Sequence, residues 1–424
     1  MTSSAAALVP PVPPVPGRHR APEGREASTG RHHVSALDGL RGFAVAAVLL
    51  FHAGHLDGGF LGVDLFFVLS GFLITGLLLG EAARKGRIAL ASFWWRRVRR
   101  LMPALVCVVA VVLAATWAWG GTNLLRFALD DTPWVGAQAV NWHYIGEHIG
   151  YWDGSGTRVF AHLWSIGVEW QFYLVWPLVV AVAARGRYAQ AIVASLAGAG
   201  ALVSLLLTVW LGTAVDTTRA YEGTDTRAAA LLLGALAATA PLRTLASRVP
   251  RRAADLACLA ITCGLAVAWT VTGGERSPLL FKGGLFLHSL AAAVLIAFLA
   301  HIPGTYAARV AGSRLPRRLG ELSYSLYLWH WPVYLLLLPR LSGLSDLGPL
   351  GDWGAVAVAI AVSLGAAALT KACVEDPVRF RKGWARGRRG AVAVTLAAVA
   401  TAVLWATVPE PVAGAGTVDI EQLR

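Results

Sequence analysis

Eleven apolar runs, each close to the length of one bilayer crossing, constrain this chain more than any other feature. They occupy 37–56, 60–80, 101–119, 161–184, 189–212, 227–241, 253–272, 283–302, 319–339, 353–374 and 390–408. A helix rises about 1.5 Å per residue, so roughly 20 apolar residues cross a hydrocarbon core of about 30 Å. The runs lack the two-residue alternation of a membrane strand, and backbone in lipid must satisfy its own hydrogen bonds. The expected fold is an all-α polytopic membrane protein of about eleven helices. Composition agrees, since 56% of the 424 residues are hydrophobic and only 14% charged, against about a quarter charged in soluble proteins. The run at 227–241 is short and is expected to tilt or to be shielded by neighbours. The first run is not a signal peptide: it is too long, carries Arg41 and His52, and lacks a small-residue cleavage pattern.

The net charge of +13 raises the question of nucleic acid, but no base-stacking module or zinc-spaced cysteine set accompanies the arginines. They cluster in short loops instead. With alternate loops assigned to one side, 28 of the 37 Lys and Arg side chains fall there and eight opposite. Positive residues favour the cytoplasm, so the N-terminus is expected inside and the C-terminus outside, in a multi-pass plasma-membrane protein. Residues 124–143, with Asp130, Asp131 and two Trp residues, read as an interfacial helix outside the membrane. Residues 1–36 read as a disordered basic, proline-rich tail, 37–389 as the main membrane domain, 390–408 as an eleventh helix and 409–424 as a short outer tail. Cys107, Cys258, Cys263 and Cys373 all lie in or beside apolar runs and read as small core residues rather than disulfides or metal ligands. No metal is expected.

Ionisable side chains inside such runs are costly, roughly 2.5–3.5 kcal/mol each on insertion scales, and normally face a cavity or a partner. Arg41 and His52 stand eleven residues apart, which puts them on one helix face about 16 Å apart along the axis. Burial favours a neutral imidazole, free to accept a proton as a general base; a core histidine that only ties helices together is the alternative. Asp64 in the second run and Glu169 in the fourth are both candidates to orient His52, as a carboxylate does in a catalytic triad. Ser70 reads as a structural hydrogen-bonding group. His162, Ser165, Glu169 and Tyr173 share an arc of about 80° on one helix. Ser323, Tyr327, His330 and Tyr334 share a face of the ninth run, loosened by Pro332. Arg97 and Arg100, at i and i+3, form a basic pair suited to phosphate; topology signalling or contacts with anionic lipid would also explain them.

Together these segments resemble the membrane acyltransferase 3 family over roughly residues 35–380. The resemblance rests on Leu37-Asp38-Gly39-Leu40-Arg41-Gly42 with His52, on Gly62-Val63-Asp64-Leu65-Phe66-Phe67-Val68-Leu69-Ser70-Gly71-Phe72, and on the Arg97–Arg100 pair. It rests also on His162-Leu163-Trp164-Ser165-Ile166-Gly167-Val168-Glu169 with Gln171-Phe172-Tyr173-Leu174-Val175-Trp176-Pro177. Supporting pieces are Thr224-Asp225-Thr226-Arg227, Ser323-Tyr324-Ser325-Leu326-Tyr327-Leu328-Trp329-His330 and Val374-Glu375-Asp376-Pro377. The family usually has Thr where Leu163 stands and a second Glu where Trp170 stands, so that neighbour is not a catalytic acid here.

The resemblance implies a membrane O-acyltransferase. No cofactor is held permanently; acyl-CoA, most simply acetyl-CoA, is the cytoplasmic co-substrate, with its phosphates near Arg97 and Arg100 and its pantetheine arm guided by Arg41. His52 would take the proton of an acceptor hydroxyl on an extracytoplasmic glycan or related molecule. Many relatives carry an outer SGNH-type domain after the eleventh span. This chain stops sixteen residues past it, so direct acylation or transfer to a separate extracytoplasmic protein is expected. Membrane lipids are the other expected partner. A transporter of a lipid or glycan, or a non-catalytic scaffold, would share the spans, but neither explains a basic pair accompanying an in-helix Arg–His pair.

Overall fold

The computed structural model describes residues 34–411, except 213–215, 275, 276, 278, 303 and 346. Most of the expected N-terminal tail, and 412–424 of the expected outer tail, lie outside the described residues. Among the described residues all regular structure is helical. Helices α1 (Ser35–His52) and α2 (Gly62–Lys85) form the first hairpin, followed by α3 (Leu90–Trp119), α4 (Gly121–Gly136) and α5 (Val140–Gly146). Then come α6 (Trp164–Ala183), α7 (Ala189–Leu211) and α8 (Thr224–Ala237), which bends by 65° into α9 (Ala240–Ser247). The chain continues through α10 (Arg251–Val271), α11 (Leu285–His301), α12 (Arg314–Leu337), α13 (Pro349–Thr370) and α14 (Arg389–Thr407).

Every expected run coincides with one of these helices. Nine helical stretches among the described residues are long and apolar enough to cross a bilayer. The two remaining runs are the bent α8–α9 pair and α12, whose first turns carry Arg314, Arg317, Arg318 and Glu321. The two largest departures from expectation lie in α3 and in the segment after it. Helix α3 begins eleven residues before 101, so Arg97 and Arg100 stand on a rigid helix rather than in a loop. At 30 residues it is about 45 Å long, more than the hydrocarbon core requires. The segment 124–143 is not one helix: it breaks at Gln138, whose φ of 58° is left-handed, giving α4 and α5, neither of them among the nine.

Packing of α1 is closest against α12, and glycine makes this possible. A Cβ on Gly320 would run into the Asp38 carbonyl, and one on Gly42 into that of Pro316. Gly71 of α2 and Gly234 of α8 allow the same approach at a second crossing. Lipid supplies no hydrophobic drive between helices, so close backbone contact and dispersion hold them. Outward-facing Leu202, Val203 and Leu206 on α7, Leu256 and Leu259 on α10, and Leu396 and Val399 on α14 are exposed, as lipid-facing side chains should be. The four cysteines are unpaired; only Cys258 is buried, and Cys263 and Cys373 are exposed on helical surface rather than in a core. Apolar sequence surroundings do not distinguish a lipid face from a protein interior.

Candidate active site

His52 is in the last turn of α1, which ends where Gly54 takes φ 76°. The α1–α12 crossing brings it against the polar face of α12. His52 Nδ1 lies 3.1 Å from His330 Nε2 and 3.1 Å from the carbonyl of Val48 one turn back. Its other nitrogen, Nε2, is 3.3 Å from the hydroxyl of Tyr151, which belongs to a short helical turn, Tyr151–Gly154. The ring also rests against Trp331, with centroids 4.7 Å apart. Of the three histidines here, His330 is 0% and His162 1% exposed, while His52 is only half-buried. His52 is therefore the most accessible of the three rings.

His330 is tied to its own helix through Nδ1, 2.7 Å from the Tyr327 carbonyl. His162 packs beside it, ring centroids 5.3 Å apart. Pro332 has no N–H to offer the carbonyl of Leu328, and that carbonyl is turned toward the His162 ring. Among the described residues, neither His162 nitrogen reaches hydrogen-bond geometry with it or with any other group. Below His162 the stripes of α6 and α12 meet: the Tyr327 hydroxyl donates to the His162 carbonyl at 2.7 Å and lies 2.8 Å from Ser165 Oγ.

Arg41 is on the same face of α1, where its Nε donates to Ser323 Oγ at 3.2 Å and its guanidinium lies over the Phe66 ring. Glu169 faces the same region. It accepts from Ser70 Oγ at 2.7 Å and from the Tyr173 hydroxyl at 3.0 Å, and it is an electrostatic neighbour of Arg41 and Arg100. Arg97, Arg100 and Tyr173 are likewise neighbours, joined by Arg379 from the short helix Asp376–Phe380. The Trp94 indole N–H, donating to the Tyr173 carbonyl at 2.9 Å, fixes α3 against α6 beside this basic group. Arg41, Arg97 and Arg100 are thus brought together as one cationic end of the site.

Neither expected carboxylate contacts His52. Asp64 is 1% exposed and pairs with Arg227 of α8, itself 2% exposed, at 2.8 Å, with Ser289 donating at 3.3 Å. A buried carboxylate is held far better by a permanently charged guanidinium than by a neutral imidazole. Glu169 is occupied by Ser70 and Tyr173 near the basic end. Of the polar residues on α6 and α12, His330 was legible only as one member of a stripe; its contact with His52 depends on the α1–α12 crossing, for which Gly42 and Gly320 were the available signal. Tyr151 carried no signal at all.

Beyond His52, Trp331 Nε1 donates to the Arg158 carbonyl at 2.9 Å. The Arg158 side chain contacts Asp131 and lies 3.0 Å from Asp130, while His143 is 3.2 Å from Asp130 and the Tyr144 hydroxyl donates to Asp131 at 2.9 Å. The two acids and His143 are close enough to share a cation, but the Arg158 guanidinium already supplies the positive charge. Burial pushes the Asp131 carboxyl up to about 6; Asp130 adds to the rise, and Arg158 and Tyr144 oppose it. Polar groups therefore run from the arginine end, past His52, to this acidic end.

The sequence model of an acyltransferase domain matches residues 34–371. The chain is 33% identical over 356 residues to a Listeria monocytogenes protein named peptidoglycan O-acetyltransferase OatA, covering 82% of this chain and 56% of that one. It is 34% identical over 310 residues to the O-acetyltransferase OatA of Staphylococcus aureus, covering 72% and 51% respectively. The chain spans about half the length of these curated relatives. No solved structure matches it. With the match running from the first turn of α1 to the end of α13, and so through the helices α1, α6 and α12 that meet at His52, the chain belongs to the membrane acyltransferase 3 family, enzymes that move acyl groups other than aminoacyl groups.

Proposed function

We propose that the chain is an O-acetyltransferase of the plasma membrane, carrying an acetyl group from cytoplasmic acetyl-CoA to a hydroxyl of an envelope glycan outside. One observation carries this reading: a half-buried imidazole whose Nε2 faces a hydroxyl, that of Tyr151, at 3.3 Å. The Tyr151 oxygen marks where an acceptor alcohol would bind. On the other side, Arg97 and Arg100 offer guanidinium forks to the CoA phosphates, and Arg41 stands between them and His52 to guide the pantetheine arm. The excess of basic side chains in alternate loops supports a cytoplasmic arginine end. The names of the relatives support acetyl as the acyl group and, for the Listeria protein, peptidoglycan as acceptor.

In the step proposed, the alcohol oxygen adds to the thioester carbonyl carbon while His52 Nε2 takes its proton. The C–S bond then breaks, and the same proton passes to the departing sulfur, leaving an ester and free CoA. General base catalysis of this kind contributes roughly 10²–10⁴-fold. Purified protein in lipid vesicles, given acetyl-CoA and a peptidoglycan disaccharide, should release CoA thiol and yield an acetylated sugar by mass spectrometry. His52→Ala should lower that rate at least about 10²-fold while inserting and melting as the unchanged chain does. Full activity in His52→Ala would remove the assignment.

A further inference from the structure

We propose that His330 serves His52 as a carboxylate serves the histidine of a catalytic triad: it accepts the Nδ1 proton of His52 and so leaves Nε2 as the base. The inference rests on the reading of His52 as general base and names what positions it. Tautomers are fixed by what each nitrogen faces. His330 Nδ1 lies 2.7 Å from the Tyr327 carbonyl, an acceptor without a proton of its own, so Nδ1 must carry the hydrogen. In the neutral ring its Nε2 is then a bare lone pair. That lone pair is 3.1 Å from His52 Nδ1, whose other neighbour, the Val48 carbonyl, is also an acceptor. A bare Nδ1 on His52 would face two lone pairs and no donor. Nδ1 therefore carries hydrogen, shared between Val48 and His330, and the bare nitrogen of His52 is Nε2, which receives the Tyr151 hydroxyl.

Two features make His330 suited to this. It is wholly buried, and the α12 backbone holds its far nitrogen, so its ring direction is set before substrate arrives. The carboxylates that would otherwise do this are engaged elsewhere, Asp64 by Arg227 and Glu169 by Ser70 and Tyr173. When His52 takes a proton at Nε2, its Nδ1–H bond to His330 becomes charge-assisted and shortens. His330 is thus a positioning residue; it does not touch substrate.

The test uses the full chain in lipid vesicles with acetyl-CoA and the peptidoglycan disaccharide. In His330→Gln the amide oxygen reaches about as far as Nε2 and still accepts; kcat should stay within about tenfold of the unchanged chain. His330→Leu offers no acceptor and should lower kcat at least about 10²-fold with KM for acetyl-CoA unchanged. Should the Leu variant fail to fold, His330→Asn, whose shorter amide falls short of His52, should show the same loss. Full kcat in the Leu or Asn variant, or a Gln variant as slow as either, would overturn the proposal. Solid-state NMR of ¹⁵N-histidine protein reads it without turnover: His52 should be the Nδ1–H tautomer in the unchanged chain, and in His330→Leu, where the Val48 carbonyl alone still accepts from Nδ1, that preference should weaken and the Nδ1–H resonance should shift; an Nδ1–H signal identical in the two proteins would mean that His330 does not accept this proton. If no CoA is released by the unchanged chain yet the tautomer is as stated, the acyl-transfer reading fails and the His52–His330 arrangement stands.

Discussion

At the scale of single residues, ionisable groups in apolar sequence were the most legible signals, because hydrocarbon tolerates them only with a reason. Arg41, His52 and Glu169 stood out on that ground, and all three line one polar interior. Their partners were not legible, since a side chain's neighbour across the bundle depends on crossing geometry that periodicity does not encode. Tyr151 lies in a stretch without any period and could not have been found. The basic pair on α3 permits a sharp separation of binding from chemistry. If Arg97 and Arg100 hold CoA phosphates, Arg97→Ala should raise KM for acetyl-CoA by roughly 10–100-fold, the loss of one charge-assisted contact of about 1.5–3 kcal/mol. The same variant should treat acetyl-pantetheine, which has no phosphates, as the unchanged chain does. Steady-state kinetics with both donors checks this; an equal effect on the two would place Arg97 elsewhere than on the phosphates.

At the scale of elements, the eleven apolar runs gave helix existence and order correctly because burial in lipid demands long uninterrupted apolar stretches. Helix ends and breaks were less legible. The start of α3 among arginines and the 65° bend after Ala237 have no apolar signature. Two elements distant in sequence, α2 and α8, are joined by the Asp64–Arg227 pair beside the Gly71–Gly234 contact. Removing one partner of a buried pair leaves a charge without compensation and costs about 3–5 kcal/mol, whereas replacing both by apolar residues is often neutral. Asp64→Asn should therefore lower the thermal midpoint and the yield of folded protein in detergent. Asp64→Leu with Arg227→Met should recover most of the midpoint and keep CoA release within about tenfold of the unchanged chain. A double variant that is stable but inactive would instead return Asp64 to the catalytic machinery.

At the scale of the whole molecule, polar side chains link one end of the bundle to the other: Arg97 and Arg100, then Arg41 and Glu169, then Tyr327, His330 and His52, and last Arg158 with its two acids. An enzyme that brings a donor from one compartment to an acceptor in another needs such a line, and helices α1, α6 and α12 each contribute a stripe to it. The far end also fixes how stability depends on pH. Asp131 is fully buried, and its carboxyl is pushed up to about 6 from an ordinary value near 4. A folded-state value above the unfolded one means that the folded chain binds this proton more tightly. Its contribution is therefore complete below about pH 4 and is lost as pH rises through about 6, amounting to roughly 3 kcal/mol across the window. Asp131→Asn cannot ionise, so it cancels the pH-dependent part while keeping the site polar. The thermal midpoint of the unchanged chain relative to Asp131→Asn should fall between pH 4 and about 6 and be level above. A relative midpoint that instead climbed with pH over this range would mean that Arg158 and the Tyr144 hydroxyl outweigh burial and hold Asp131 ionised throughout.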